Sequence, residues 1–417
     1  MHPSRTKKLV EKLVEKNKPE TKEWRGLDDN AIVLVSGVRT GTGRARKGGF
    51  KDTKTDKLLT PVLKEIMRRT PNLSHTDVGD IVIGNCLQPG GGQLMARMAM
   101  LEAGFPYTVP VASINRQCSS GLQAIATVAG EIQTNVLDIG IAGGVESMST
   151  CPMQDATPNM DFTALKSPVA AACLVPMGIT SENIAKKYRI SRKEQDHFSL
   201  NSHIKANMAR EKGFFSPEIV SVGTVNEDEG IRRDCSIQGL LKLKPVFDPK
   251  NGVTTAGNSS QTSDGASAVI VSRESTRKKL NLPLLAVWRA YTVVGVPPEV
   301  MGIGPAFAIP AVLERAGLQI SDIDVFEINE AFASQILFCV NYLSIDMKKV
   351  NPYGGAIALG HPLGSSGSRL VVTCAHYLKR NGLRYGCVSL CVGSGMGAAA
   401  IIENPDYAPS SSMKSKL

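Results

Sequence analysis

Two short stretches, Cys118-Ser119-Ser120-Gly121 and Gly364-Ser365-Ser366-Gly367, decide the fold. Each stands where an apolar or glycine-rich run gives way to a helical pattern. Before the first lies Val109-Pro110-Val111-Ala112-Ser113-Ile114, which reads as a buried strand. After it, Leu122, Ile125, Ala126 and Ala129 recur at helical spacing. Other stretches echo each other in the same order. Ser74-His75-Thr76-Asp77-Val78-Gly79-Asp80-Ile81-Val82-Ile83-Gly84-Asn85 returns as Ser321-Asp322-Ile323-Asp324-Val325-Phe326-Glu327-Ile328-Asn329, each a short apolar strand closed by Asn. Ile139 to Gly144 corresponds in kind to Val388 to Gly393. A repeat with preserved order predicts an α/β protein of two similar halves, residues 30–275 and 284–404. Residues 1–29 form an N-terminal extension and 405–417 a C-terminal tail. The first half is longer because of an inserted loop subdomain, about 151–244, with helices predicted at Ser181 to Tyr188 and Arg192 to Arg210. Ser191 and Glu194 supply a capping box for the second of these.

Composition narrows the function. The chain has 417 residues, 42% of them hydrophobic, which suits a globular protein of more than one lobe. No apolar run approaches a membrane span, and no signal-peptide core opens the chain. The formal charge is +10, but residues 1–26 carry eight Lys/Arg against four Glu and the last seven residues add two Lys, leaving +4 for the body. That mild excess, without zinc-finger spacing or an aromatic-interleaved basic motif, argues against nucleic acid and suits an anionic, phosphate-bearing substrate. Lys7 to Lys18 has helical apolar spacing, but Glu11 and Glu15 count against a mitochondrial presequence. Nine cysteines at irregular spacing, with neither CxxC pairs nor His/Cys clusters, argue against a disulfide framework or a metal site. Seven of them read as packing residues in a reducing compartment. The closing tripeptide Ser415-Lys416-Leu417 reads as a peroxisomal address on a loose tail, which predicts residence in the peroxisome or a related organelle such as a glyoxysome or glycosome.

Cys118 is the candidate nucleophile. A thiol at a strand-to-helix turn meets unpaired N–H groups and the helix dipole, which favour the thiolate. A lone cysteine more often serves packing, so the assignment needs partners. Two are available downstream, His361 in Gly354-Gly355-Ala356-Ile357-Ala358-Leu359-Gly360-His361-Pro362-Leu363-Gly364, and Cys391 in Cys391-Val392-Gly393-Ser394-Gly395-Met396-Gly397.

Together with Asn329-Glu330-Ala331-Phe332-Ala333, these motifs resemble the set found in thiolases, over nearly everything from Asn30 to Glu403. Pro176 to Asn183, Thr254 to Ser260 and Val296 to Pro305 resemble the peroxisomal 3-ketoacyl-CoA branch of that family. The resemblance implies a five-layered αβαβα core, a homodimer, and CoA-dependent cleavage of 3-ketoacyl-CoA in β-oxidation, with CoA as substrate and no bound cofactor. It implies Cys118 as nucleophile, His361 as its activating partner and Cys391 as proton shuttle. Asn329 would hold a water beside the enolate oxygen, and the backbone N–H groups of Cys118 and Gly393 would form a second oxyanion site. Ser260 would lie near the pantetheine arm of CoA and Arg232 near its nucleotide end, with Met177 as a further substrate or CoA contact. Pro176 departs from the short-chain branch, which has His there. An acetoacetyl-CoA thiolase working in the condensing direction would use the same residues, and a CoA-binding scaffold with the same fold is the non-enzymatic alternative. A ketoacyl synthase would present His at Asn329, and a thiolase of the sterol-carrier type a His-Asp-Cys-Phe run there.

Overall fold

A computed structural model describes residues 27–153 and 161–408. The N-terminal helical pattern at Lys7 to Lys18 and the closing Ser415-Lys416-Leu417 lie outside the described residues. In the first half, strands β1 (Ile32–Thr40), β2 (Asp80–Gly84), β3 (Val111–Ile114), β4 (Ile139–Ser147) and β5 (Ser263–Arg273) form a sheet ordered β3-β2-β4-β5-β1. In the second, β6 (Ala286–Gly295), β7 (Val325–Ile328), β8 (Tyr385–Val392) and β9 (Met396–Glu403) are ordered β7-β8-β9-β6. The hydrogen-bonding sense repeats as well. β2 with β4 and β7 with β8 are parallel, whereas β4-β5-β1 and β8-β9-β6 are antiparallel. Where the first half has β3, the second keeps only a parallel bridge from Val350 to Phe326. The sheets meet edge to edge through a short antiparallel contact, Val33 with Val287 and Leu34 with Ala286.

The longer helices are α1 (Thr55–Arg68), α2 (Gln93–Glu102), α3 (Ser120–Gln133), α4 (Met177–Tyr188), α5 (Arg192–Glu211), α6 (Gly304–Ala316), α7 (Ala333–Leu343) and α8 (Leu363–Asn381). Three apolar clusters set the layers. Leu58, Val62 and Ile66 of α1 cover Ile81, Ile83 and Ile141 on one face of the first sheet. Val82 and Ala142, pointing the other way by the two-residue strand period, meet Leu122 and Ile125 of α3 and Leu370, Val371 and Leu378 of α8. Val388, Leu390 and Ala400 of the second sheet close that middle cluster from the far side. Ile309 and Val312 of α6 with Ile336 and Val340 of α7 cover Phe326, Ile328 and Ile401 on the outside. The sequence of layers is α-β-α-β-α.

The central layer brings the two repeated turns together. α3 and α8 pack against each other, and Gly121 and Gly364 touch at their N-terminal ends. A Cβ on Gly121 would stand 2.7 Å from the carbonyl oxygen of Gly364, so only glycine permits this approach. The segment between β4 and β5 carries α4 and α5 as the sequence predicts, and the Ser191–Glu194 capping box is present. Cysteine usage departs from expectation. Of the seven cysteines read as packing residues, only Cys339, Cys374 and Cys387 are buried, while Cys86, Cys151 and Cys235 are half-buried and Cys173 is exposed. Small polarizable thiols here serve loop contacts as often as the core.

Candidate active site

Four chain segments converge at the ends of the central strands. Cys118 follows Gln117, whose φ of 48° is unusual for a side-chain-bearing residue and turns the chain sharply out of β3. Helix α3 begins two residues later, at Ser120, with Ser120 Oγ accepting from the Arg116 N–H at 2.9 Å. The Cys118 thiol receives the backbone N–H of Gly393, from the turn joining β8 to β9, and also its own backbone N–H. Cys391, at the end of β8, is buried and close enough to Cys118 for the two thiolates to repel. Around Cys391 stand Met301, Ala331 and Phe332, with Met177 against them. Phe247 meets Phe332 edge to face, ring centroids 6.4 Å apart.

His361 stands on the loop leading into α8. Ser366 Oγ donates to the carbonyl of Pro362 at 2.9 Å, so its one hydrogen is engaged and it accepts from His361 Nδ1 at 2.6 Å. This assigns the imidazole proton to Nδ1 and leaves the Nε2 lone pair facing Asn329, whose Nδ2 is 3.2 Å away. Backbone bonds fix the same loop from the first half, where the His361 N–H donates to Gln261 O at 3.1 Å and to Ser263 Oγ at 3.2 Å. Asn329 is fully buried and anchored through its own N–H to Ser389 O at 2.9 Å. Its Oδ1 has no hydrogen-bond partner among the described residues, the one open acceptor in a buried amide beside the imidazole.

The electrostatics correct one expectation. Desolvation pushes the Cys118 thiol up to about 11, outweighing the Gly393 N–H, with the Glu146 carboxylate adding to the rise. Burial, with Arg369 nearby, lowers His361 to about 3. The pair therefore rests as neutral thiol and neutral imidazole, not as the thiolate that a helix N-terminus alone predicts. At this half-buried turn the desolvation of the thiol outweighs what the helix start offers its charged form.

The predicted CoA-site residues are partly assembled. Ser260 is half-buried, and its N–H donates to Ala331 O at 2.9 Å, so it and Met177 both lie against the Ala331-Phe332 segment. Arg232 is exposed on a separate surface cavity of about 220 Å³ shared with His203, Asn207, Arg233 and Cys235. Gln261 connects that region to the site, its Nε2 donating to Gly230 O at 3.0 Å and to Ile357 O at 3.2 Å. Sequence reasoning missed Ser366, quoted only as part of a repeat, and Glu330. The Glu330 carboxylate receives Ser202 Oγ of α5 at 2.6 Å, Asn351 Nδ2 at 2.8 Å and the Ile357 N–H at 3.2 Å, tying the inserted segment to the histidine loop. A charged residue beside Asn329 was the available signal.

Both halves match family models, the thiolase N-terminal domain over residues 32–275 and the thiolase C-terminal domain over residues 282–404. The chain belongs to the thiolase family. It is similar to the rat protein named 3-ketoacyl-CoA thiolase A, peroxisomal (Rattus norvegicus), at 54% identity over 388 residues, covering 90% of this chain and 89% of that one. Among solved thiolase structures, the dimeric peroxisomal thiolase of Saccharomyces cerevisiae superposes with a TM-score of 0.87 at 44% identity, covering 94% of this chain and 100% of the yeast chain. Human mitochondrial 3-ketoacyl-CoA thiolase in complex with CoA gives 0.82 at 37% identity, covering 90% and 98%. The two thiolase-family matches divide the chain close to where β5 ends and β6 begins.

Proposed function

We propose that this thiolase is a peroxisomal 3-ketoacyl-CoA thiolase of fatty-acid β-oxidation, cleaving 3-ketoacyl-CoA with free CoA into acetyl-CoA and an acyl-CoA two carbons shorter. The observation that carries the reading is the meeting of Cys118 from the first half with Gly393 and Cys391 from the second, the half that also holds the paired His361 and Asn329. His361 Nε2, unprotonated in the resting tautomer and facing Asn329 Nδ2, takes the Cys118 proton as the sulfur attacks the 3-keto carbon. Because the resting thiol is protonated, this transfer accompanies attack and does not precede it. The C2–C3 bond then breaks, leaving the acyl group on Cys118 and an acetyl-CoA enolate. Asn329, through a water on its open Oδ1, and the imidazolium steady the enolate oxygen. The Cys391 thiol gives its proton to the enolate carbon, and the resulting thiolate takes the proton of the incoming CoA thiol. CoA sulfur attacks the acyl-enzyme with its carbonyl oxygen held by the N–H groups of Cys118 and Gly393. Cys118 leaves and recovers its proton from His361, so the cycle closes without metal or redox change.

Met177, Phe247 and Phe332 offer apolar walls for the pantetheine arm, with Ser260 as a polar contact and Arg232 set toward the nucleotide phosphates. Three supports favour a homodimer: the named dimeric yeast relative, β3 at the sheet edge with Ala112 exposed, and exposed Leu94, Met98 and Leu101 on α2. The import receptor would read Ser415-Lys416-Leu417. The mechanism is tested by mass spectrometry after mixing with 3-ketoacyl-CoA. Cys391→Ala is expected to accumulate one acyl group on Cys118 without multiple turnover, and Cys118→Ala to gain none. Sustained turnover in Cys118→Ala sinks the reading.

A further inference from the structure

Glu146 is a buried carboxylate in the otherwise uncharged strand Ile139-Gly140-Ile141-Ala142-Gly143-Gly144-Val145-Glu146-Ser147, and the mechanism above does not use it. Its contacts come from both halves. Oε2 accepts the Cys86 N–H at 3.0 Å and the Gly364 N–H at 2.9 Å, and Oε1 accepts the Leu87 N–H at 3.1 Å. The first and third belong to the loop after β2, and the second opens α8, three residues beyond His361. A carboxylate this deeply enclosed stays only because three backbone donors converge on it.

The internal repeat explains its position. Gly84 of β2 pairs with Gly144 of β4, and Ile328 of β7 pairs with Ser389 of β8. Two residues on along each partner strand stand Glu146 and Cys391. One residue on along each of the other strands stand Asn85 and Asn329, and the turns facing them open with Gly364 and Cys118. In the second half this geometry sets Cys391 beside Cys118, at the reaction. In the first half the matching positions set Glu146 on the Gly364 N–H.

We propose that Glu146 is a positioning residue for thiolysis, its carboxylate locking the Cys86-Leu87 loop of one half to the Gly364 turn of the other and so fixing His361 against Cys118. The first half's copy of the catalytic arrangement is a clamp. Shifting the Gly364 turn moves Pro362 and Ser366, and with them the imidazole held by Ser366. The same carboxylate bears on the nucleophile through space, since its charge raises both Cys118 and Cys86. The charged group facing it from the paired strand β5 is Asp264, itself held by Ser149. Burial lifts Glu146 to about 7 against those three donors, so its charge is gained across neutral pH.

The test is Glu146→Gln in the full-length chain, with Glu146→Asp beside it, each first checked for native melting. Positioning predicts that Glu146→Gln lowers kcat by about 10²-fold with KM for CoA little changed, because the reacting atoms are misplaced while the CoA contacts stand. Removing the negative charge also lowers the Cys118 thiol, so iodoacetamide at about pH 8 alkylates Cys118 faster than in the wild type. Glu146→Asp, which keeps the charge on a shorter arm, is expected to retain the slow wild-type alkylation while still losing kcat. Slower turnover with faster alkylation is a combination that general loosening of a helix does not give in one variant and withhold in the other. A folded Glu146→Gln with wild-type kcat overturns the proposal, and so does a fall in kcat/KM carried by KM. If Glu146→Gln does not fold, the wild-type alkylation profile decides: the rate must bend to a shallower slope near pH 7 as Glu146 ionises, and a straight profile refutes the coupling.

Discussion

Ser366→Ala removes one oxygen atom that acts only through the imidazole it holds, and it is expected to slow thiolysis by about 10- to 150-fold. The magnitude follows from the hydrogen bonds. Ser366 Oγ lies 2.6 Å from His361 Nδ1 and is the acceptor there because its own proton is spent on Pro362 O. Losing the hydroxyl does not strand Pro362 O, which still receives the Ser365 and Ser366 N–H groups at 3.0 Å each. It does strand the imidazole Nδ1–H inside a buried loop. When His361 takes the Cys118 proton, the ring becomes a cation whose Nδ1–H has no partner, and a hydrogen bond to a charged group is worth about 1.5–3 kcal/mol. That energy is missing from the transition state and converts to the stated factor at about 1.4 kcal/mol per tenfold. Resting stability should fall by a comparable amount, about 1–3 kcal/mol for an orphaned buried donor. The assay is steady-state thiolysis with CoA and 3-ketoacyl-CoA both varied, beside a denaturant melt. The deficit should sit in kcat, and Ser366→Thr, which restores the hydroxyl, should recover most of it. A Ser366→Ala enzyme within twofold of wild type would refute the tautomer assignment, because Nε2 would then be an equally good base without the Nδ1 anchor.

Two further outcomes follow from the seam and the tail. Gly121→Ala places a methyl 2.7 Å from both Gly364 O and Ser368 Oγ, so it should cost about 1–3 kcal/mol of stability by forcing α3 and α8 apart, read from a shifted urea midpoint. An unshifted midpoint would show that the helices tolerate separation. Deleting Ser415 to Leu417 should leave a fluorescently tagged chain in the cytosol, and continued organelle import would mean that another address or a partner carries it.

The duplicated fold was legible from sequence because strand ends and helix starts carry local chemistry. The Ser-Ser-Gly turns, the Asn-terminated strands and the apolar periods each report on a few neighbouring residues, and their order alone implied two like halves. Cys118, His361 and Cys391 were legible as candidates for the same reason, each embedded in a local motif that marks a turn. What the sequence withheld is set by distance through space. Ser366 looked like half of a repeat until His361 was seen to donate to it, five residues back and across a turn. Glu330 reads as one acid among many until Ser202, Asn351 and Ile357, up to 128 residues away, are found on its two oxygens. The Cys118 thiol was hidden on the same ground, since its desolvation, with the Glu146 carboxylate adding, outweighs the Gly393 N–H that favours the charged form.

Duplication also explains why the site is asymmetric although its scaffold is not. Two like halves facing each other across α3 and α8 create two equivalent seams, one at Cys118 and one at Gly364. Chemistry needs only one of them to open to substrate. At Cys118 the thiol is half-buried and the surrounding turn from Cys391 to Gly395 includes partly exposed Ser394, so a ligand can approach. At Gly364 the missing side chain lets the Asn85 backbone and the Val145 carbonyl close in, a Cβ there meeting them at 2.6 and 2.7 Å. A nucleophile could not stand at that position without displacing the main chain. The closed seam holds the register of the two halves, and on the proposed mechanism that rigidity is what the open seam at Cys118 needs for its reacting groups to stay aligned.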